Sequence, residues 1–173
     1  MTETKTAAAK VEMLVLDVDG VLTDGRIYYG NDGEELKAFN IKDGLGIKLL
    51  RDTGVKVAII TGRKSNIVER RARELGIDDI TQGREDKRIA LTELCERHSI
   101  ALAHCAYMGD DLPDLSAINA AGLGMTVADG CVNVRDAADW VSVYSGGSGA
   151  VREACEFILH NKGKLDDAVA DFQ

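Results

Sequence analysis

The residues with the clearest chemical potential in this sequence are aspartates that follow apolar segments. Asp17 and Asp19 come directly after the apolar run that begins at Met13, and Asp110 follows the apolar segment 103–108. Carboxylates this close together resist joint ionisation unless a cation lies among them, and hard oxygen ligands suit Mg²⁺. A metal held by Asp17 and Asp110 would let one carboxylate attack a phosphorus atom. A second carboxylate, two residues on, would transfer protons.

A hydroxyl group and a cation complete this set. Thr61 and Gly62 follow the apolar segment 55–60, and Lys87 stands at the start of a predicted helix. Thr61 and Lys87 would bind the oxygens of a transferring phosphoryl group, where negative charge accumulates. Gly20 and Gly62 have no side chain and permit close approach of the backbone to that group. Together these residues indicate a phosphoryl-transfer site, which none of them indicates alone.

The elements that position these residues alternate along the chain between short apolar segments and helical patterns. The predicted strands are 13–17, 55–60, 103–108, 123–127 and 140–143, and the predicted helices are 45–50, 65–75, 87–98, 115–121, 132–137 and 149–161, after a short polar arm. This alternation predicts an α/β fold, a doubly wound parallel sheet of the Rossmann-like type with helices on both faces. Such sheets bind ligands at the carboxyl ends of their strands.

A turn signal, GNDG, lies between two short extended stretches and predicts a β-hairpin flap over about residues 25–40. Tyr28, Tyr29 and Phe39 are expected to make one face of this hairpin apolar. Apolar surface that a monomer leaves unpaired is more typical of a protein interface than of a ligand site.

Composition narrows the class of protein further. The 173 residues carry a formal net charge of −8, which excludes a nucleic-acid binder with a basic stripe. No apolar run has the length of a signal peptide or a membrane span, so we expect a cytoplasmic protein with no membrane partner. The four cysteines are scattered, as is typical of reduced, buried thiols. Without a linker or repeat, the prediction is a single domain, 1–173, with a tail at about 163–173.

Four motifs now stand in a recognisable order: DVDGVLTDG, TGR, the isolated Lys87 and GDDLPDL. In this order they resemble the four motifs of the haloacid dehalogenase superfamily, and the resemblance covers about residues 11–165. It implies that Asp17 is the nucleophile of a phosphatase that works through an aspartyl-phosphate. It also implies that Asp19 is the general acid and base, and that Thr61 and Lys87 bind the phosphate.

The same resemblance implies a metal site for Mg²⁺. Its ligands would be the side chains of Asp17 and Asp110 and the main-chain carbonyl of Asp19. Asp111 and Asp114 are expected to support the metal site or to cap the following helix, and not to contact the metal directly.

Members of this superfamily commonly carry a cap domain, but no insertion in this sequence is long enough for one. We therefore expect a monomer's site to be open to water and a neighbouring subunit to cover it. A finer resemblance rests on FNIKDGLGIKLL, IITGRKSNIVERRARELGI, YMGDDLPDL, GGSGAVREACEFIL and GKLDDA. These segments are similar to the capless 3-deoxy-D-manno-octulosonate 8-phosphate phosphatase family of lipopolysaccharide precursor synthesis. That family implies a homotetramer in which hairpin and tail help to close an adjacent site.

The finer resemblance also implies a set of substrate contacts. They are Asp19, Asn40, Ile41, Lys42, Asp43, Gly44, Lys48, Thr61, Gly62, Arg63, Arg71 and Lys87. Arg63 and Arg71 offer planar, bidentate donors that suit the carboxylate of a sugar acid phosphate. Arg71 also fits a solvated helix face in which ERRARE forms acid–base pairs.

Several alternatives remain open. A phosphatase of the same group acting on a nine-carbon, sialic-type sugar acid 9-phosphate would share the motifs, although the residues 62–64 and the GKLDDA tail favour the eight-carbon substrate. A phosphoaspartate signalling module of the response-regulator type would carry its aspartate after the third strand. A non-catalytic oligomeric scaffold would keep the motifs without turnover. The segment 146–149 is either a phosphate-binding loop or a turn before a helix, and we favour the turn.

Overall fold

A computed structural model describes residues 2–170 and 172 of the chain. Its strands are β1 (Met13–Leu16), β2 (Tyr28–Tyr29), β3 (Glu35–Leu36), β4 (Lys56–Thr61), β5 (Asp79–Gln82), β6 (Cys105–Gly109), β7 (Leu123–Thr126) and β8 (Trp140–Val141). Its helices are α1 (Thr2–Lys10), α2 (Ile41–Asp52), α3 (Asn66–Glu74), α4 (Lys87–Arg97), α5 (Leu115–Ile118), α6 (Val132–Ala137), α7 (Ala150–Asn161) and α8 (Leu165–Ala170). Among these described helices, none has the length and apolar character needed to cross a membrane.

The main sheet contains six strands in the spatial order β5-β4-β1-β6-β7-β8, and every neighbouring pair is parallel. Strand β1 is buried on both faces: Leu14 and Leu16 pack on one side, whereas Met13 and Val15 pack on the other. Helices α1, α2, α3 and α7 cover the first face, and α4, α5 and α6 cover the second. Continuous apolar strands are typical of parallel sheets with two covered faces. The predicted doubly wound α/β class is therefore confirmed.

The strand order locates the edge where a ligand can bind. After β1 the chain adds β4 and β5 on one side of it, and then β6, β7 and β8 on the other. The connections on the two sides of β1 therefore run in opposite directions, which opens a crevice at its carboxyl end. Asp17, the first residue after β1, lies in that crevice.

Two segments differ from the sequence prediction. Residues 2–10 form α1 and not a polar arm, because consecutive alanines favour a helix and Ala8 is fully buried in the core. Residues 79–82 form β5, where no strand was predicted. The DITQ segment contains one isoleucine among polar residues and is half-buried at the sheet edge, so it lacks the apolar run of the central strands. Parallel pairing with β4 decides its conformation.

The ends of two other elements also differ. Helix α2 begins at Ile41, earlier than predicted, because the side chain of Asn40 accepts a hydrogen bond from the N–H of Lys42 at 2.8 Å and caps the helix. The predicted tail, about 163–173, contains the unpredicted helix α8, and its residues 171 and 173 lie outside the described residues.

The predicted hairpin is present as β2 and β3, but its faces differ from the prediction. Tyr28 pairs with Leu36, and Tyr29 pairs with Glu35. Successive residues of a strand point to opposite faces, so the prediction that Tyr28 and Tyr29 share one apolar face is wrong. Phe39 packs against the core and does not join that face. The apolar face of the hairpin consists instead of Tyr28 and Leu36, which are 50% and 55% exposed.

Helices α2 and α7 approach each other closely at Gly46. A Cβ atom at this position would lie 2.8 Å from Cδ and 3.0 Å from Cα of Arg152. Nearby, Oδ1 of the buried Asp43 accepts a hydrogen bond from the N–H of Arg152 at 2.8 Å. A carboxylate at the start of a helix complements the positive end of the helix dipole. The two contacts together fix α7 against α2.

Gly46→Ala should lower the free energy of unfolding by about 1–3 kcal/mol, because the added methyl group overpacks the contact with the α7 backbone. In an exposed helix the same substitution would raise stability by about 1 kcal/mol. Urea unfolding followed by circular dichroism distinguishes the two signs. A more stable variant would contradict the close contact between α2 and α7.

Candidate active site

Four segments of the chain meet in the crevice beside β1. Asp17 follows β1, Thr61 ends β4 and Asp110 follows β6. Lys87 is the first residue of α4. Together with Asp19, these residues line one cleft of about 360 Å³. A cleft of this size suits a small-molecule ligand.

The ammonium group of Lys87 bridges two carboxylates. Its Nζ lies 2.9 Å from Oδ2 of Asp17 and 2.6 Å from Oδ1 of Asp114. All three side chains are buried. Burial alone would lower the pKa of Lys87, but the two carboxylates outweigh it and raise that pKa. Lys87 is therefore charged in the folded protein, and it holds the carboxylate of Asp17 in a fixed orientation.

Asp114 is fully engaged by donors of the chain itself. Its Oδ1 accepts hydrogen bonds from the hydroxyl of Tyr107 at 2.7 Å and from Lys87. Its Oδ2 accepts the backbone N–H groups of Asp110 and Asp111, both at 3.2 Å. Asp111 in turn caps the short helical turn that follows. A carboxylate has about four acceptor positions, and those of Asp114 are all used. Of the two roles predicted for Asp111 and Asp114, capping of the following helical turn is confirmed, and support of the metal site stays a prediction.

Carboxylates at the base of the cleft form a group that could hold a divalent cation. Asp17, Asp110 and Asp114 each place a carboxylate oxygen within 4.8 Å of the others. Oδ1 of Asp17 is buried and meets no hydrogen-bond donor within the described residues. A buried, unpaired carboxylate oxygen is costly unless a cation meets it. Because Asp114 is saturated, Asp17 and Asp110 are the side chains that would hold Mg²⁺. A contribution from the carbonyl of Asp19 stays a prediction.

The pKa values of Asp17 and Asp110 also support a cation site in the cleft. Burial, followed by the charge of Asp114, raises the pKa of Asp17 to about 6, although Lys87 opposes the shift. Burial, Asp114 and Asp17 raise the pKa of Asp110 to about 7. Both carboxylates resist ionisation next to each other, as expected for groups whose charge a bound cation offsets.

The loop after β1 has an internal support that the sequence motifs did not identify. Gly20 has φ of +93°, and a Cβ atom there would overlap the carboxylate of Asp110, so only glycine fits. The buried hydroxyl of Thr23 accepts the N–H groups of Gly20 and Gly25 at 3.4 and 3.2 Å. The same hydroxyl donates to the carbonyl of Val18 at 3.4 Å. Thr23 therefore holds the tight turn of this loop.

The hairpin contacts the cleft through its polar face. Lys37 forms an ion pair with Oδ1 of Asp19. Nη2 of Arg63 lies 3.0 Å from the hydroxyl of Tyr29 and 3.5 Å from Oε2 of Glu35. Arg63 thus links the loop after β4 to the hairpin, and Asp19 lies between the two segments.

The structure divides the predicted substrate contacts into two groups. Asp19, Thr61, Gly62, Arg63 and Lys87 line the cleft. The second group lies around α2 and α3, and within the described chain its members do not line that cleft. They are Asn40, Ile41, Lys42, Asp43, Gly44, Lys48 and Arg71. The roles of both groups in substrate binding stay predictions.

Contacts within the second group show how it is organised. Nη2 of Arg71 donates to the carbonyl of Asn40 at 3.3 Å, and its guanidinium lies 5.7 Å from the centre of the Phe39 ring. Ile41 is 79% exposed. Asp43 faces the start of α7, so a negative charge already occupies the helix terminus that follows residues 146–149. That charge opposes a second anion there and agrees with the interpretation of this segment as a turn.

Sequence reasoning missed other residues of the site. Gly25, Glu85 and Pro113 also line the cleft. Lys37 was missed although it stands two positions after Glu35, a spacing that places both on one face of a strand. No signal in the sequence identified the role of Tyr107, since it lies in an apolar strand and its hydroxyl finds a partner only in the folded chain.

Comparisons with known proteins agree with this geometry. The sequence pattern of haloacid dehalogenase-like hydrolases matches residues 77–153. A 3-deoxy-D-manno-octulosonate 8-phosphate phosphatase of Salmonella typhi is 48% identical over 167 residues, which cover 96% of this chain and 89% of that protein. The crystal structure of this phosphatase from Moraxella catarrhalis, in complex with a magnesium ion, a phosphate ion and a KDO molecule, has a TM-score of 0.98 at 48% identity and covers 100% of this chain and 99% of that one.

This chain belongs to the 3-deoxy-D-manno-octulosonate 8-phosphate phosphatase family of the haloacid dehalogenase-like hydrolases. The cobalt-bound phosphatase of the same name from Haemophilus influenzae is also similar, with a TM-score of 0.89 and 40% identity over 92% of this chain and 93% of that one. The chain spans most of the length of each of these phosphatases.

In the metal-free phosphatase the free energy of unfolding should fall as the pH rises from about 5 to about 8. The folded-state pKa values of Asp17 and Asp110, about 6 and about 7, lie above the ordinary range of a carboxyl group. Such groups stabilise the fold at low pH, and this stability is lost as they ionise. Mg²⁺ should restore stability at pH 8, because it binds only the folded site.

Thermal melting with and without Mg²⁺ checks this pH dependence, since each kcal/mol corresponds to about 2–4 °C in a chain of this size. Asp110→Asn should melt at a higher temperature than the metal-free parent at pH 8 and should lose the response to Mg²⁺. The exposed Asp32→Asn serves as the matched control. An unchanged pH slope in Asp110→Asn would contradict the assignment.

Proposed function

We propose that this chain is a Mg²⁺-dependent phosphatase that hydrolyses 3-deoxy-D-manno-octulosonate 8-phosphate to the free sugar acid and phosphate, in lipopolysaccharide precursor synthesis. The observation that carries the proposal is the state of Asp17: Lys87 fixes one carboxylate oxygen, and the other is buried beside Asp110 with no donor among the described residues. The substrate is supported by the names of the relatives, which match this chain over nearly its whole length.

In the first half of the reaction the carboxylate of Asp17 attacks phosphorus. Lys87 keeps this carboxylate facing the cleft, and Thr61 and Lys87 bind oxygens of the phosphoryl group. As the bond between phosphorus and the sugar oxygen breaks, Asp19 gives its proton to that oxygen. The sugar acid leaves with the proton, and Asp17 carries the phosphoryl group.

In the second half water replaces the sugar. Asp19, now a carboxylate, takes a proton from a water molecule that attacks the phosphorus atom. Phosphate leaves and the carboxylate of Asp17 is restored. When bound, Mg²⁺ supplies positive charge that offsets Asp17, Asp110 and the phosphoryl oxygens. Asp114 does not contact the substrate in this scheme, since it serves to fix Lys87.

The alternatives have less support from the site. A response-regulator type of signalling module would carry its aspartate after the third strand, whereas Asp17 follows β1 and has Asp19 two residues on. A non-catalytic scaffold would not need the buried bridge between Lys87 and Asp17. The nine-carbon substrate remains the closest alternative, and Arg63 at the mouth of the cleft, with its affinity for a carboxylate, suits either sugar acid.

We propose a homotetramer in which neighbouring copies cover each other's clefts. The cleft is open in the monomer, and the hairpin turns its apolar face, Tyr28 and Leu36, outward. Helix α8 lies near the amino end of β4, since Lys164 donates to the carbonyl of Thr53 at 3.0 Å. The described part of the tail thus lies away from its own cleft, and we propose that it helps to close an adjacent one. The exposed Ile41 and neighbouring residues would then serve an adjacent site as well.

We propose that the chain acts as a single catalytic domain, because the helices on both faces of one sheet share its two apolar cores. A reducing, cytoplasmic location agrees with the free thiols of the described chain, Cys95, Cys105, Cys131 and Cys155.

Phosphate release in the presence of Mg²⁺ tests the reaction and the substrate together. The kcat/KM for the eight-carbon sugar acid 8-phosphate should be about tenfold or more higher than the kcat/KM for the nine-carbon 9-phosphate or for a hexose phosphate. Asp17→Asn should lose about 10³-fold or more in turnover, because the nucleophile is gone, while Asp32→Asn should retain it. Substantial turnover in Asp17→Asn would refute the covalent mechanism, and equal rates for all three esters would refute the substrate assignment.

Leu36→Lys should weaken self-association, because it places a charge in the exposed apolar face of the hairpin. Sedimentation velocity should show smaller species for this variant at concentrations at which the parent is tetrameric. Val143→Lys, at a residue that is 74% exposed outside the hairpin, is the matched control. A parent that sediments as a monomer would contradict the tetramer itself.

A further inference from the structure

Lys37 is a buried lysine that the reaction described above does not use. It stands directly after β3, and its side chain is 0% exposed. Its ammonium group pairs with Oδ1 of Asp19 and lies 3.8 Å from Oε1 of Glu35. An ammonium group removed from water requires anionic partners, so these two carboxylates determine where Lys37 lies. The side chain of Lys37 has no exposed surface with which to contact a substrate.

The pairing leaves the two oxygens of Asp19 in different situations. Oδ1 is held by Lys37. Oδ2 receives no hydrogen bond from any group in the described part of the chain, and Nε of Arg63 lies 3.9 Å from it. Asp19 lines the cleft. The oxygen that remains available to the leaving group is therefore Oδ2.

We propose that Lys37 is a positioning residue, which holds Oδ1 of Asp19 so that Oδ2 meets the oxygen of the leaving alcohol. The inference rests on the proposed function, in which the proton of Asp19 moves to that oxygen as its bond to phosphorus breaks. The hairpin thereby has a role inside its own cleft, separate from any cover that it gives to a neighbour. Glu35 supports the arrangement from the same face of the strand.

A role in positioning differs measurably from a role in holding the hairpin in place. An alkyl leaving group needs the proton of a general acid, whereas p-nitrophenolate leaves readily without it. Misplacement of Asp19 should therefore slow the cleavage of a sugar phosphate and leave the first cleavage of p-nitrophenyl phosphate almost unchanged. Loss of hairpin structure would lower both rates together.

Lys37→Met keeps an unbranched side chain that is one atom shorter and removes its charge. In single-turnover experiments with Mg²⁺, cleavage of the eight-carbon sugar acid 8-phosphate should fall by about 10²-fold or more, and the release of p-nitrophenolate should stay within about threefold of the parent. Lys56→Met, an exposed lysine at the far end of β4, should leave both rates unchanged. Equal losses on the two substrates, or no loss on either, would overturn the inference.

A double-mutant comparison tests whether Lys37 acts through Asp19. In the Asp19→Asn background, Lys37→Met should cause no further loss, since there is no acid left to position. An additional loss of comparable size would show an independent role and contradict the inference. If Lys37→Met fails to fold by circular dichroism, Lys37→Gln should show the same selective loss on the sugar phosphate. A parent that cleaves neither ester would instead refute the proposed function.

Discussion

The site depends on one buried ion bridge, that of the Lys87 ammonium group with Asp17 and Asp114. Three charged side chains leave water to form it, which is favourable only when each has partners at short distance. Asp114 meets this condition through Tyr107 and two backbone N–H groups. Asp17 satisfies this condition at only one of its two oxygens. Oδ2 contacts Lys87, whereas Oδ1 has no donor within the described residues. That incomplete pairing is the reason why we propose Asp17 as the reactive member of the group.

The fold satisfies this constraint by ending three parallel strands at one place. The reversal of strand order at β1 opens a crevice there, so residues that follow β1, β4 and β6 meet without a long loop. Helix α4 then adds Lys87 from its first turn. Gly20 allows the loop after β1 to pass beside Asp110, where any side chain would collide. The backbone geometry at the strand ends thus brings the charged side chains of the site together.

The hairpin serves two surfaces at once. Its two faces follow from the alternation of residues along β2 and β3: Tyr29 and Glu35 face Arg63, while Tyr28 and Leu36 face outward. The polar face belongs to the cleft of its own chain, and the apolar face is available to a neighbour. In the proposed tetramer another copy would supply the rest of the cover, and the open cleft and the exposed apolar face would then have one explanation.

The sequence by itself determined the fold class, the order of the catalytic motifs and the residues at the strand ends, because apolar runs and the aspartates after them follow from local pattern alone. It did not reveal β5, whose conformation depends on pairing with β4, or α1, whose one buried residue, Ala8, gives no periodic signal. Only the tertiary structure decided that Asp43 caps α7, that Asp114 is saturated and that Lys37 meets Asp19. Each of these is a contact between distant segments, and the hydrogen-bond partners of a buried charge are fixed by packing and not by its neighbours in sequence.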